Sequence, residues 1–167
     1  MMPIEELVRG LAETPLFSGL SETALRRLAE MAEQRRYGAG EVLFHEGTRG
    51  GDLFVLRQGK VHLKMRVPGH GSIPILTLGP GQLVAWSAVL GAGEMTTSAV
   101  ALEETETLAM PGGKLKELCE QDREFGCQFM ERMAAALARR LVATRLQLLD
   151  LFASELPRIA VKDDGHG

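Results

Sequence analysis

The chain has 167 residues, of which 45% are hydrophobic and 25% charged, with a formal net charge of −3. These values describe one ordinary globular domain with a helical appendage and exclude a disordered chain. A negative balance gives no general attraction to nucleic acid, so none is expected to bind the chain by itself.

The two cysteines, Cys119 and Cys127, form neither a metal-ligand pattern nor a disulfide framework, which points to a reducing cytoplasm. The opening Met1 to Leu7 lacks a basic start followed by an apolar stretch, so no signal peptide is read. No apolar run approaches the ~18–20 residues of a membrane helix, and no membrane partner is expected.

The first forty residues read as helices. Ile4, Leu7, Val8 and Leu11 recur at helical spacing, and Ser21 caps a second helix with Leu25, Leu28, Ala29 and Ala32 on one face. From Gln34 to Pro111 the pattern turns to short strands, placed at 41–44, 52–56, 61–67, 73–78, 98–102 and 105–110. The runs 52–56 and 61–67, joined by Arg57-Gln58-Gly59-Lys60, carry the signal of a hairpin, because positive φ costs glycine nothing. Short strands punctuated by glycine argue a barrel or jelly roll.

Residues 113–119 read as a short helix, and a long one runs from 123 to about 153, free of proline. Residues 154–167 are expected to be a disordered tail. The fold class is α+β: a jelly-roll barrel flanked by N-terminal helices and a long C-terminal dimerisation helix, with residues 1–153 as the domain.

That helix carries a heptad stripe of Cys127, Met130, Ala134, Leu137, Leu141, Thr144, Leu148 and Leu151. A second set, Phe125, Phe129, Met133 and Ala136, lies to its side and could seal the barrel. Two apolar faces on one helix suggest packing on its own domain and on a second copy, with the interface running from Met130 to Leu151. The alternative is one wide core face within a single chain.

The signature Gly47, Phe54, Leu56, Gly59 and Val61, in the order G-x-x-x-D-x-x-(aromatic)-x-(aliphatic)-x-x-G-x-(aliphatic), resembles the cyclic-nucleotide-binding domain of the cyclic AMP receptor and FNR regulators. Gly51 takes the place of the aspartate, and Asp52 comes one residue late. Leu16-Phe17-Ser18-Gly19-Leu20-Ser21 and Ala138-Arg139-Arg140-Leu141-Val142-Ala143-Thr144 are also similar to runs in that family, so the resemblance spans about residues 12–153. It implies a short helix between two strands that cradles a cyclic phosphate on backbone N–H groups. A glutamate then takes the ribose hydroxyl and an arginine pairs with the phosphate.

The matching cassette here is Gly81-Gln82-Leu83-Val84-Ala85-Trp86-Ser87-Ala88, followed by Thr96-Thr97. Ala85 stands at the family's glycine, Trp86 at its glutamate and Thr96 at its arginine, and no arginine occurs between Arg66 and Arg123. Leu83 to Ala88, Thr96, Thr97 and the seam residue Thr144 are the candidate ligand contacts. In the cyclic AMP receptor the matching threonine touches the purine. Trp86 either fills the vacated pocket as a core aromatic or offers a stacking face to another flat ligand. Ordinary cyclic AMP binding is therefore not expected, and no cofactor is assigned.

His45, His62, His70 and His166 form no metal-binding pair, Gly47 to Gly51 lacks the lysine of a phosphate loop, and Ser87 has no base. No enzyme is read. The reading is a dimeric, non-enzymatic regulatory module that senses a small ligand or docks a partner. Its rivals are the effector half of a receptor-type transcription regulator whose DNA-binding domain is absent from this chain, and a cyclic-nucleotide binder with an atypical pocket.

Overall fold

The computed structural model describes residues 1–91, 93–153 and 155. The expected tail lies outside the described residues except for Glu155. Helix α1 (Ile4–Glu13) stops at Thr14, which precedes Pro15 and is held extended at φ −77°, ψ 127°. Helix α2 (Glu22–Met31) starts on the Ser21 cap, whose hydroxyl accepts from the Ala24 N–H at 3.2 Å.

Eight strands follow: β1 (Glu33–Tyr37), β2 (Val42–Phe44), β3 (Asp52–Gln58), β4 (Val61–Val67), β5 (Gly71–Leu78), β6 (Leu83–Val84), β7 (Ser98–Ala101) and β8 (Thr105–Pro111). They form two antiparallel four-stranded sheets, in the orders β1-β8-β3-β6 and β2-β7-β4-β5. Helices α3 (Gly112–Gln121) and α4 (Arg123–Ala153) follow the strands. Among the described residues no helix is long and apolar enough to cross a membrane. The α+β roll expected from the glycine-punctuated strands is the fold observed.

Two expectations change. First, β1 is an additional strand, lying ahead of the first one expected at 41–44. Its sequence, Glu-Gln-Arg-Arg-Tyr, shows no apolar alternation, yet all five residues pair with β8. Its arginines are met across the sheet: Arg35 reaches Asp52 at 2.7 Å and lies 5.8 Å from the centre of the Phe54 ring, while Arg36 reaches Glu106 at 3.5 Å.

Second, β3 and β4 are not a hairpin. β3 pairs with β6 and β8, and β4 with β5 and β7, so the turn at Gly59 carries the chain from one sheet to the other. Gly59 has φ +90°, and a Cβ there would stand 2.5 Å from Thr105 Oγ1 and 2.6 Å from the Glu104 carbonyl. Glycine is needed for the crossing, rather than for a two-stranded turn.

Because β3 is covered on both faces, its alternate residues feed two cores. Leu53 and Val55 join an outer cluster with Leu11, Phe17, Leu28, Leu108, Met110, Phe125, Phe129 and Met133. Phe54 and Leu56 point into the roll with Val61, Leu63, Leu78, Val84, Ala85 and Met95.

Helix α4 therefore docks through its side set. The Phe129 ring stacks on Phe17 (6.0 Å between centres) and on Phe125 (5.6 Å). The phenylalanines pack outside the first sheet against the N-terminal helices and do not plug the roll. On the heptad stripe, Met130 and Leu137 are half-buried, whereas Cys127, Ala134, Leu141, Thr144, Leu148 and Leu151 are exposed.

Candidate functional site

The cassette is built from β3 outward. Leu56 N–H donates to the Gln82 carbonyl at 3.0 Å, and Gly81 N–H donates to the Leu56 carbonyl at 2.8 Å. The Gln82 side chain accepts from Gly79 N–H at 2.7 Å and so closes the turn before β6. Gln82, at the family's aspartate position, thus has a structural task.

After β6 the backbone turns left-handed at Ala85 (φ 66°, ψ 47°) and enters a short 3-10 turn, Trp86–Ala88, where Ala88 N–H donates to the Ala85 carbonyl at 3.0 Å. Ala85 is the one non-glycine residue with positive φ among the described residues. The glycine backbone of the cassette is kept although the glycine itself is gone. An L-residue there costs about 1–2 kcal/mol. Ala85→Gly is accordingly expected to stabilise the fold by about 0.5–1 kcal/mol, raising Tm by about 1–4 °C in calorimetry. An unchanged or lower Tm would count against the strained turn.

The 3-10 turn rests on α3. A Cβ on Gly112 would overlap the Ala88 carbonyl, so the start of α3 fixes the height of the cassette. Gly112→Ala is expected to cost about 1–3 kcal/mol by overpacking, measured as a lower urea midpoint with unchanged slope.

The candidate contacts separate. Leu83, Val84, Ala85, Ser87 and Ala88 are buried, Thr97 is half-buried, and Thr96 is exposed. Trp86 does not fill the interior of the roll. It is half-buried, packs against the outer cluster beside Leu90, and lines with Ser87 and Thr96 a cavity of about 430 Å³. Space inside the roll is taken instead by Phe54, Leu63, Met95 and their neighbours.

Glu46 and Glu94 also line the Trp86 cavity, and among the described residues no cation does. Arg49, 4.0 Å from Glu94, is the cation paired with it. The Gly47 loop holds the far wall: Gly47 N–H donates to the Met95 carbonyl at 2.8 Å, and Met95 N–H to the Thr48 carbonyl at 2.9 Å. Thr144 stays apart from the cassette, with its hydroxyl donating to the Arg140 carbonyl at 2.8 Å.

One functional candidate escapes an inspection of the cassette alone. Arg140 crosses from α4 and donates through Nη2 to the Leu83 carbonyl. Burial lowers its pKa from the usual guanidinium value. The cation missing between Arg66 and Arg123 is thus present beside β6, supplied from α4 and on the helix side of the strand. The Ala138 to Thr144 run was the signal for it.

The strands, the cassette and α3 are matched by the family model of the cyclic nucleotide-binding domain over residues 34–122. The chain belongs to that family.

Its relatives include a cyclic AMP receptor protein of Thermus thermophilus, 33% identical over 145 residues, which make up 87% of this chain and 65% of the relative. The chain thus spans just under two thirds of that relative's length. The crystal structure of the N-terminal domain of a transcriptional regulator from Streptomyces coelicolor superposes with a TM-score of 0.63 at 27% identity, covering 94% of this chain and 99% of that one. A cyclic nucleotide-binding domain from Methylobacillus flagellatus gives 0.73 at 19% identity over 95% and 86% of the two chains, a likeness of fold.

Proposed function

We propose that this member of the family is a non-enzymatic, homodimeric regulatory module that responds to a small ligand other than cyclic AMP bound in the ordinary way. The observation carrying the ligand half is the Trp86 cavity. A cyclic phosphodiester brought there would meet Glu46 and Glu94 where it needs an arginine.

The dimer half is supported by α4. Its side set is buried in the chain's own core, while Leu141, Leu148 and Leu151 are 52%, 55% and 73% exposed and continue the heptad stripe. A partner helix of the same sequence can cover that stripe with matched three-four spacing.

A second reading has its own support: the module acts as the effector half of a receptor-type transcription regulator. The match to a whole N-terminal domain of a transcriptional regulator favours it. Both readings expect a dimer, and neither expects this chain alone to bind double-stranded DNA, given its net charge of −3. Sedimentation equilibrium should return twice the 18.2 kDa chain mass. A mobility-shift assay at low salt should show no sequence-selective complex. A monomer at tens of micromolar would overturn the dimer, and a selective complex would overturn the DNA expectation.

A further inference from the structure

Helix α4 carries two arginines with buried guanidinium nitrogens that have no partner among the described residues: Nη1 of Arg132 and Nη1 of Arg140. Arg140 uses Nη2 on the Leu83 carbonyl, and Arg132 lays its own Nη2 against Gly19, 3.1 Å from where a Cβ would stand. The ion pairs among the described residues engage Arg26, Arg27, Arg35, Arg36, Arg49 and Arg57, and none engages Arg132, Arg139 or Arg140.

These three arginines line one cavity of about 550 Å³ between α4 and the chain segments at Pro15 and Gly81. Among the described residues its remaining lining is apolar or neutral, without a carboxylate, and includes Ala136 between Arg132 and Arg140 on the helix. A charged donor buried without an acceptor costs more than an ordinary hydrogen bond returns. Two such arginines, with Arg139, line one cavity in which no carboxylate of the described residues answers them, and so call for an anion from outside the chain. Eight residues of helix set their Cα atoms about 12 Å apart along the axis. The two guanidinium groups are held at different contacts, Arg132 at Gly19 and Arg140 at the Leu83 carbonyl, which an elongated anion can bridge.

We infer that this groove binds an elongated small molecule with anionic groups, phosphate or carboxylate, toward both ends, one met by Arg132 and the other by Arg140. Arg139 adds long-range attraction at the mouth. The site is distinct from the Trp86 cavity, whose carboxylates repel such a ligand. It rests on and deepens the sensing half of the proposed function and is independent of the dimer. Bound there, the ligand would fasten α4 to the turn before β6 at two points.

Calorimetric titration of the full chain with tripolyphosphate and, separately, with suberate tests this. At least one should bind at micromolar Kd, and which one does so names the anionic group. Arg132→Met and Arg140→Met should each weaken that binding at least tenfold, while Arg123→Gln, outside the cavity, should leave it unchanged.

Arginine modification of the wild-type chain by phenylglyoxal, mapped by peptide mass, covers the case in which a variant does not fold. The bound anion should protect Arg132 and Arg140 and spare Arg123 no reaction. Absence of binding by both probes up to millimolar concentration overturns the inference, as does binding that neither arginine affects or that protects all arginines alike. A stable dimer that ignores both probes refutes this site while leaving the dimer standing.

Discussion

Replacing Leu141 and Leu148 with glutamate is expected to leave only monomers of the proposed dimer in sedimentation, at every concentration up to about a millimolar. Both side chains are more than half exposed in the single chain, so the fold of one protomer should survive, with unchanged circular dichroism. In a symmetric pair the two substitutions act twice, removing four leucines from the seam. Full burial of an exposed leucine contributes about 1.5–3 kcal/mol and about half of each is still to be buried here, so roughly 3–6 kcal/mol is lost before the repulsion of four new carboxylates is counted. A dimer with Kd near 1 μM is held by about 8 kcal/mol, so this loss and the repulsion together suffice to abolish it. An unchanged dimer would show that the heptad stripe is not the seam and that Leu141 to Leu151 await a different covering.

How far the fold was legible depended on whether local pattern and tertiary role agreed. Helix α4 was readable to its ends because no proline interrupts it, and its two apolar faces were separable by spacing alone. The buried one is the set Phe125, Phe129 and Met133. Strand β1 was illegible for the opposite reason. Its polar residues find cross-strand carboxylates, so its stability resides in pairing with β8 rather than in apolar alternation.

The turn at Gly59 was recognised as a turn but assigned to a hairpin, since positive φ looks the same whether the chain returns to its own sheet or crosses to the opposite one. What decides is the run of four buried residues, Leu53 to Leu56, which marks β3 as covered on both faces. In the cassette, the sequence showed which residues depart from the family pattern. It could not show that Trp86 turns away from the interior of the roll, or that Arg140, far along the chain, reaches β6.

That geometry sharpens what restoring the family pattern should do. Wild-type protein is expected to bind cyclic AMP with a Kd weaker than about 1 mM, or about −4 kcal/mol. Trp86 and Thr96 line the same cavity, so Trp86→Glu with Thr96→Arg would place a ribose acceptor and a phosphate donor on one space. Ala85→Gly removes the methyl group from the left-handed position and relaxes the turn.

A hydrogen bond to a charged group contributes about 1.5–3 kcal/mol, and a bidentate arginine supplies two. Against this stand Glu46 and Glu94, which still face the phosphate. A net gain of about 1.5–3 kcal/mol brings the expected Kd of the triple variant to roughly 10–100 μM, measurable by calorimetry. Adding Glu94→Gln, already half exposed at 52%, should tighten it further by removing like charge. If instead the wild type binds cyclic AMP at micromolar Kd, the acidic cavity is no barrier to it. The phosphate must then be held by other donors, with Thr96, Thr97 and the unpaired Nη1 of Arg140 as the groups to substitute next.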